Sequence, residues 1–208
     1  VTDQNPAENP FGDDFGWTAY IEATADREEP EHFLRCIDIV DGEDGTGRTV
    51  VDYGFGGGAQ TRSFLRRGWT VFAVDVTPGA AAALLSRTPP DLRDRLTVEI
   101  GAFHEVDLPP TDLVYASFSL PFAGQALDAA VANAFAALTP EGVFFGNFFG
   151  HNDEWARDPI LRTVDRTWID RTFAEFSEVT VTETDADGPF GLEGDTKHWH
   201  FYFVEARR

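Results

Sequence analysis

Between Thr49 and Gly68 the chain reads TVVDYGFGGGAQTRSFLRRG: a β-branched apolar run, four glycines in five positions, and a segment of helical spacing that stops at a glycine. No other stretch constrains the fold so tightly. A buried strand that passes straight into a helix through a nearly bare backbone is the opening unit of an open α/β sheet. The alternation continues downstream. WTVFAVDV, RLTVEI, DLVYASFSL and GVFFGNFF read as strands, and PGAAAALLSR and AGQALDAAVANAFAAL as helices. Strands so continuously apolar, interleaved with helices, require a parallel sheet covered on both faces. After Gly150 the texture changes to a helix in DRTWIDRTFAEF, an alternating strand in SEVTVTETDA, and a last strand in KHWHFYFVEA that puts Trp199, Phe201 and Phe203 on one face. Closed as a hairpin, these two strands add an antiparallel C-terminal edge. The expected fold class is α/β: a doubly wound, mostly parallel sheet with an antiparallel C-terminal edge strand and helices on both faces.

Upstream of the glycines, FGWTAYIEAT and EPEHFLRCIDIV carry helical patterns, the second with Phe33, Leu34, Ile37 and Val40 on one side. Residues 1–15, with Pro6 and Pro10 among Gly, Asn and Asp, predict a loose leader, and residues 16–208 a single domain. A chain of 208 residues with 42% hydrophobic content is enough for one sizeable core.

Charge narrows the partners. Thirty-six acidic residues face 16 basic ones, a formal net charge of −20. Such a surface repels phosphate backbones, and the only arginine pairs, Arg66-Arg67 and Arg207-Arg208, are too short for a basic stripe, so no nucleic-acid partner is expected. Lys197 is the only lysine beside fifteen arginines, a balance that fits either a high-salt cytoplasm or a codon bias towards Arg, Asp and Ala. No window approaches the ~18 consecutive apolar residues of a membrane-spanning helix, and the first residues are acidic where an export signal is basic then apolar. With Cys36 alone there is no disulfide framework. The expectation is a cytoplasmic protein, monomer or homodimer, without a membrane partner.

The bare turn implies a ligand lying against the backbone beyond the strand ends. Gly54, Gly56 and Ala59 also fit the G-x-G-x-x-A pattern of dinucleotide enzymes, and Asp75, ending the second strand, suits the hydroxyls of a ribose in either a nicotinamide or an adenosyl ligand. Asp52 discriminates between them. A carboxylate two residues before the glycines repels a pyrophosphate and attracts an ammonium or sulfonium centre, which favours S-adenosylmethionine. An NAD(P)-dependent oxidoreductase would share the glycines and Asp75, but no Tyr-x-x-x-Lys pair is present. A non-catalytic module that binds S-adenosylmethionine fits the same residues.

VVDYGFGGGAQTRSFLRRGWTVFAVDV resembles the first two motifs of class I S-adenosylmethionine-dependent methyltransferases, D-x-G-x-G-x-G followed by an acid that ends the second strand. DLVYASFSLPF, LTPEGVFFGNFFGHNDEW and KHWHFYFVEA are similar to the bacterial branch around the tellurite-resistance-type enzymes, and the resemblance spans residues 16–206. It implies a Rossmann-like fold, S-adenosylmethionine as cofactor and methyl transfer to a small-molecule acceptor. It further implies that Gly54, Phe55 and Gly56 wrap the methionine part, with Asp52 near its amino group. Asp75 would hold the ribose, Val76 pack on the adenine, and Ser117 with Phe118 line the floor. Ala102 stands where many relatives place an acid, leaving the Phe103 backbone amide to read the adenine. Trp17, Tyr20 and Arg27 resemble residues that cap the cofactor, Arg27 as partner of its carboxylate.

Acceptor chemistry is less legible. His151, just past the fifth strand, is the candidate catalytic residue, able with Asp153 and Trp155 to orient an acceptor or take its proton. The competing reading is that Asn152 and Asp153 cap a short helix while His151 fills the turn. The acceptor is expected between the methyl group and a wall of Tyr20, Phe118, Asn147 and His151, and to be compact and neutral or cationic. His198 and His200 alternate on one face without a third ligand, so no metal site is expected. His32 and His104 read as surface residues, and Cys36 as a buried helix residue.

Overall fold

In the computed structural model, which describes residues 17–190 and 195–208, the apolar runs pair into one sheet. The leader expected over residues 1–15 and the side chain of Trp17 lie outside the described residues. The strands are β1 (Thr49–Tyr53), β2 (Thr70–Asp75), β3 (Leu96–Ile100), β4 (Thr111–Ala116), β5 (Leu138–Phe149), β6 (Glu178–Phe190) and β7 (Asp195–Arg207), in the order β3-β2-β1-β4-β5-β7-β6. Helices α1 (Trp17–Thr24) and α2 (Glu31–Ile39) precede β1. Three more, α3 (Ala59–Arg66), α4 (Pro78–Arg87) and α5 (Leu127–Ala137), connect parallel strands, and α6 (Arg166–Thr172) leads into the final hairpin.

The first five strands run parallel, β1 pairing β2 on one side and β4 on the other, with Val51 opposite both Phe72 and Val114. The chain winds outward in both directions from β1, so the crevice beyond the β1 and β4 carboxyl ends is the topological switch point where such sheets bind ligands. Alternate residues feed two cores. Val51, Tyr53, Val114, Phe144 and Phe148 face α5 and α6, while Val50, Leu113, Tyr115 and Phe145 face Phe33, Phe64, Leu65 and Trp69. Burial on both sides explains the unbroken apolar runs.

The antiparallel edge is built by the final hairpin. β7 is its inner strand, inserted between β5 and β6, and β6 is outermost. Its register against β5 ends at Phe149↔Phe201, yet β6 and β7 pair on to Phe190↔Asp195. The hairpin therefore overshoots the carboxyl end of β5 and carries Phe190 and Trp199 over the crevice. It is fastened there by an ion pair between Lys197 and Asp153, both fully buried. The Lys197 ammonium lies 3.9 Å from the Trp199 ring centre and 4.5 Å from that of Trp155. Asp153 also accepts the backbone N–H groups of Trp155 (3.0 Å) and His200 (3.1 Å), tying the turn after β5 to β7. Among the described residues no helix is long and apolar enough to cross a membrane.

Candidate functional site

The turn after β1 is left-handed at Gly54 (φ 73°) and Gly56 (φ 51°), where a side chain would be strained. At Gly54 a Cβ would also fall 2.4 Å from that of Ser119, whereas at Gly56 it would meet nothing within 4 Å. Gly56 lines a cavity of about 550 Å³. The first condition needs glycine for the turn to form, and the second leaves backbone open to a ligand.

Asp52, Gly54, Phe55, Gly56, Asp75 and Val76 all line this cavity, as do Tyr20, Arg27, Phe103, Ser117 and Phe118. Residues separated by much of the chain are thus brought together. Asp52 is 2% exposed and accepts a 2.5 Å hydrogen bond from the Thr61 hydroxyl. Burial pushes its carboxyl up to about 7, the Thr61 bond opposing this and the nearby Asp75 adding to it. Asp75 accepts the N–H groups of Gly56 (2.9 Å) and Thr77 (2.8 Å), which fixes the turn to β2, and burial raises its pKa as well. These bonds hold the carboxylate on the cavity wall at the carboxyl end of β2, where it can accept from ribose hydroxyls. Arg27 donates to the Gln60 amide oxygen at 3.2 Å. Two carboxylates at the glycine turn and an arginine across from them match a ligand with an ammonium, a carboxylate and a ribose.

Several expectations need correction. His151 does not reach this cavity: the chain after β5 pairs Gly150 with Val164, and the exposed His151 turns away, its Nδ1 2.8 Å from the Thr163 hydroxyl oxygen. It lines a separate hollow of about 300 Å³ with Arg162 and Arg171. Asp153 caps a short 3-10 turn, Glu154–Arg157, through the Trp155 N–H. Asn147 stands behind the wall instead of in it, fully buried, its amide oxygen accepting the Phe118 N–H at 2.5 Å. Ala102 does not line the cavity, whereas Phe103, its ring stacked on Tyr53 at 4.6 Å, does. His32 is no surface residue. It lines the cavity with Nε2 2.9 Å from the Ser117 Oγ and its ring stacked on Phe203 at 5.4 Å. Burial, aided by the Arg27 charge, lowers its pKa to about 4, so the imidazole is uncharged at neutral pH.

The outer wall is formed by Phe122, Phe149, Phe190 and Trp199, which sequence reasoning did not assign to the site, together with Trp155, which it had placed beside the acceptor. Phe118 is the hub, its ring edge-on to those of Trp199 (5.7 Å), Phe201 (5.4 Å) and Phe203 (5.8 Å). Its backbone is left-handed (φ 52°), a conformation costing a non-glycine residue about 1–3 kcal/mol and held here by Asn147. The signals in the sequence were the aromatic face of the last strand and Trp155 in the turn after the fifth strand.

Residues 51–146 match the family model of a methyltransferase domain, and the sheet around them is the class I S-adenosylmethionine-dependent methyltransferase fold. S-adenosylmethionine is the cofactor this domain implies, and the donor set just described fits it. Among particular proteins, the chain is similar to the magnesium-protoporphyrin O-methyltransferase of Rhodobacter capsulatus, 37% identical over 78 residues, 38% of this chain. Only 35% of that relative's length is matched. Solved structures that share the fold include the following two. An S-adenosylmethionine-dependent methyltransferase from Mesorhizobium loti superposes with a TM-score of 0.60 at 20% identity, over 79% of this chain and 93% of that one. The protein solved in complex with the Haloferax volcanii Trm112 methyltransferase activator gives 0.67 at 17% identity, over 93% and 94%.

Proposed function

We propose that the protein transfers the methyl group of S-adenosylmethionine to a small-molecule acceptor. The observation that carries this reading is Asp52, a buried carboxylate at the foot of the glycine turn, sharing one cavity with Asp75 and Arg27. A pyrophosphate would meet like charge there, whereas the methionine ammonium meets its counter-ion. In this reading Arg27 holds the methionine carboxylate, Asp75 the ribose hydroxyls, and Val76 and Phe103 the adenine. Trp17 completes the cap in the family resemblance. The cofactor brings a methyl group already activated on a sulfonium, so the chain has to orient an acceptor more than to supply an acid or base.

The narrower likeness to the tellurite-resistance-type branch rests on sequence motifs alone. The acceptor of the magnesium-protoporphyrin enzyme belongs to that protein and is not carried over. A methyl-release assay across a panel of small phenols, amines, thiols and carboxylates tests the proposal. Turnover of at least one class, abolished by Gly56→Val, is expected. No release from any class by a chain that binds the cofactor would favour a non-catalytic binding module.

A further inference from the structure

The cavity extends well past the residues a cofactor needs, and its outer part is chemically distinct from the glycine turn. We propose that this outer part is an acceptor subsite for an uncharged aromatic molecule, packed among Phe118, Phe122, Phe149, Trp155, Phe190 and Trp199, with a hydroxyl group at the Ser117–His32 pair. The inference rests on the methyl-transfer reading above and names the class of acceptor within it.

Ring shape follows from the walls. All six side chains line the same cavity, and they meet edge to face: Phe118 on Trp199 at 5.7 Å, Phe122 on Trp155 at 6.3 Å, Trp155 on Phe190 at 5.1 Å. Such walls offer flat faces and edges to an inserted ring, which gains beyond simple area burial. The wall is also held in place. The buried Lys197–Asp153 pair anchors Trp155 and Trp199 from behind, and the left-handed backbone of Phe118 is pinned by Asn147.

Absence of charge follows from what already surrounds the site. An aromatic cage would ordinarily attract an ammonium. Here the Lys197 ammonium lies over the rings of Trp199 (3.9 Å), Trp155 (4.5 Å) and Phe149 (5.6 Å), so these rings already serve a cation. A second cation would share the rings with the first. An anion fares no better: Arg27, the cationic side chain of the lining, is engaged by the methionine carboxylate in this reading, and the whole chain carries −20. A neutral guest avoids both conflicts.

The hydroxyl follows from the polar groups that remain. His32 Nε2 and Ser117 Oγ share one hydrogen bond at 2.9 Å, and burial with the Arg27 charge keeps the imidazole neutral. A hydroxyl both donates and accepts, so it completes the pair in either tautomer.

The test uses the full chain saturated with S-adenosylhomocysteine, titrated calorimetrically with 2-naphthol, naphthalene-2-sulfonate, a naphthyl-trimethylammonium salt and decahydro-2-naphthol. The expected result is that 2-naphthol binds at least tenfold more tightly than the charged probes and the saturated alcohol. Trp199→Leu should weaken 2-naphthol about tenfold while leaving S-adenosylhomocysteine affinity within twofold. Phe122→Leu, which leaves the Lys197 anchor intact, should do the same if the first variant fails to fold. His32→Leu should weaken 2-naphthol but not naphthalene. Equal or tighter binding of a charged or saturated probe would overturn the proposal. So would no 2-naphthol binding by a chain that binds S-adenosylhomocysteine. If S-adenosylhomocysteine itself does not bind, the cofactor reading falls, and the same probe series on the unloaded chain still decides the subsite.

Discussion

Asp52, the penultimate residue of β1, accepts a hydrogen bond from Thr61, and burial pushes its carboxyl up to about 7. Between its ordinary value of 3.8 and about 7 the folded chain holds a proton that the unfolded chain releases. Stability from this group is therefore complete below the lower value and is lost as pH rises through the upper one. Asp52→Asn should melt above the parent at about pH 8, by up to ~4 kcal/mol of stability, with the advantage gone near pH 4, as thermal melts across pH would record. Cofactor affinity should move the other way. In the parent it should rise from about pH 6 to 8 as the carboxylate ionises, and in Asp52→Asn it should be flat and lower. Asp75→Ala should lose roughly 1.5–3 kcal/mol of cofactor binding from charge-assisted hydrogen bonds, read by calorimetry. Gly56→Val should fold, at some cost in strain, and bind no cofactor, because its side chain would fill the open space against the turn.

At the scale of elements, strands and helices were legible because their periodicity is local: Val50 and Val51 announce a strand buried on both faces wherever that strand ends up. The glycine turn and the acids at the ends of β1 and β2 were legible for the same reason. The outer wall was not. It depends on the register of β7 against β5, which decides that the hairpin overshoots, and no local pattern encodes register across the chain. His32 was misread as a surface residue because its partner Ser117 lies 85 positions away. His151 was overvalued because position after a strand says nothing of the direction the next turn takes. The Lys197–Asp153 pair makes the overhang testable. Lys197→Met leaves Asp153 buried without a counter-ion and should cost about 3–5 kcal/mol, lowering the melting temperature and loosening Trp155 and Trp199. Unchanged stability would mean that the hairpin does not depend on this anchor.

For the whole molecule, a net charge of −20 generates self-repulsion that salt relieves. Raising ionic strength from about 0.01 M to 1 M shortens the screening length from about 30 Å to about 3 Å, so the melting temperature should climb with added KCl, most steeply at the low end. Ion pairs such as Arg67–Glu29 and Arg162–Asp128 work against this trend, and a flat or falling profile would show that pairing outweighs repulsion. The same charge bears on ligands, since it disfavours anions at long range and leaves recognition to a sheltered cavity at the switch point of the sheet. That cavity joins a bare glycine turn, two buried carboxylates and an arginine, and the account stands or falls on what it holds. Calorimetric titration of the full chain with S-adenosylmethionine, its demethylated product and NAD tests this most directly. Saturable binding of the first two at one site, none of NAD, and loss of both in Gly56→Val is the predicted result; binding of NAD alone, or S-adenosylmethionine bound equally well by Gly56→Val, would contradict it.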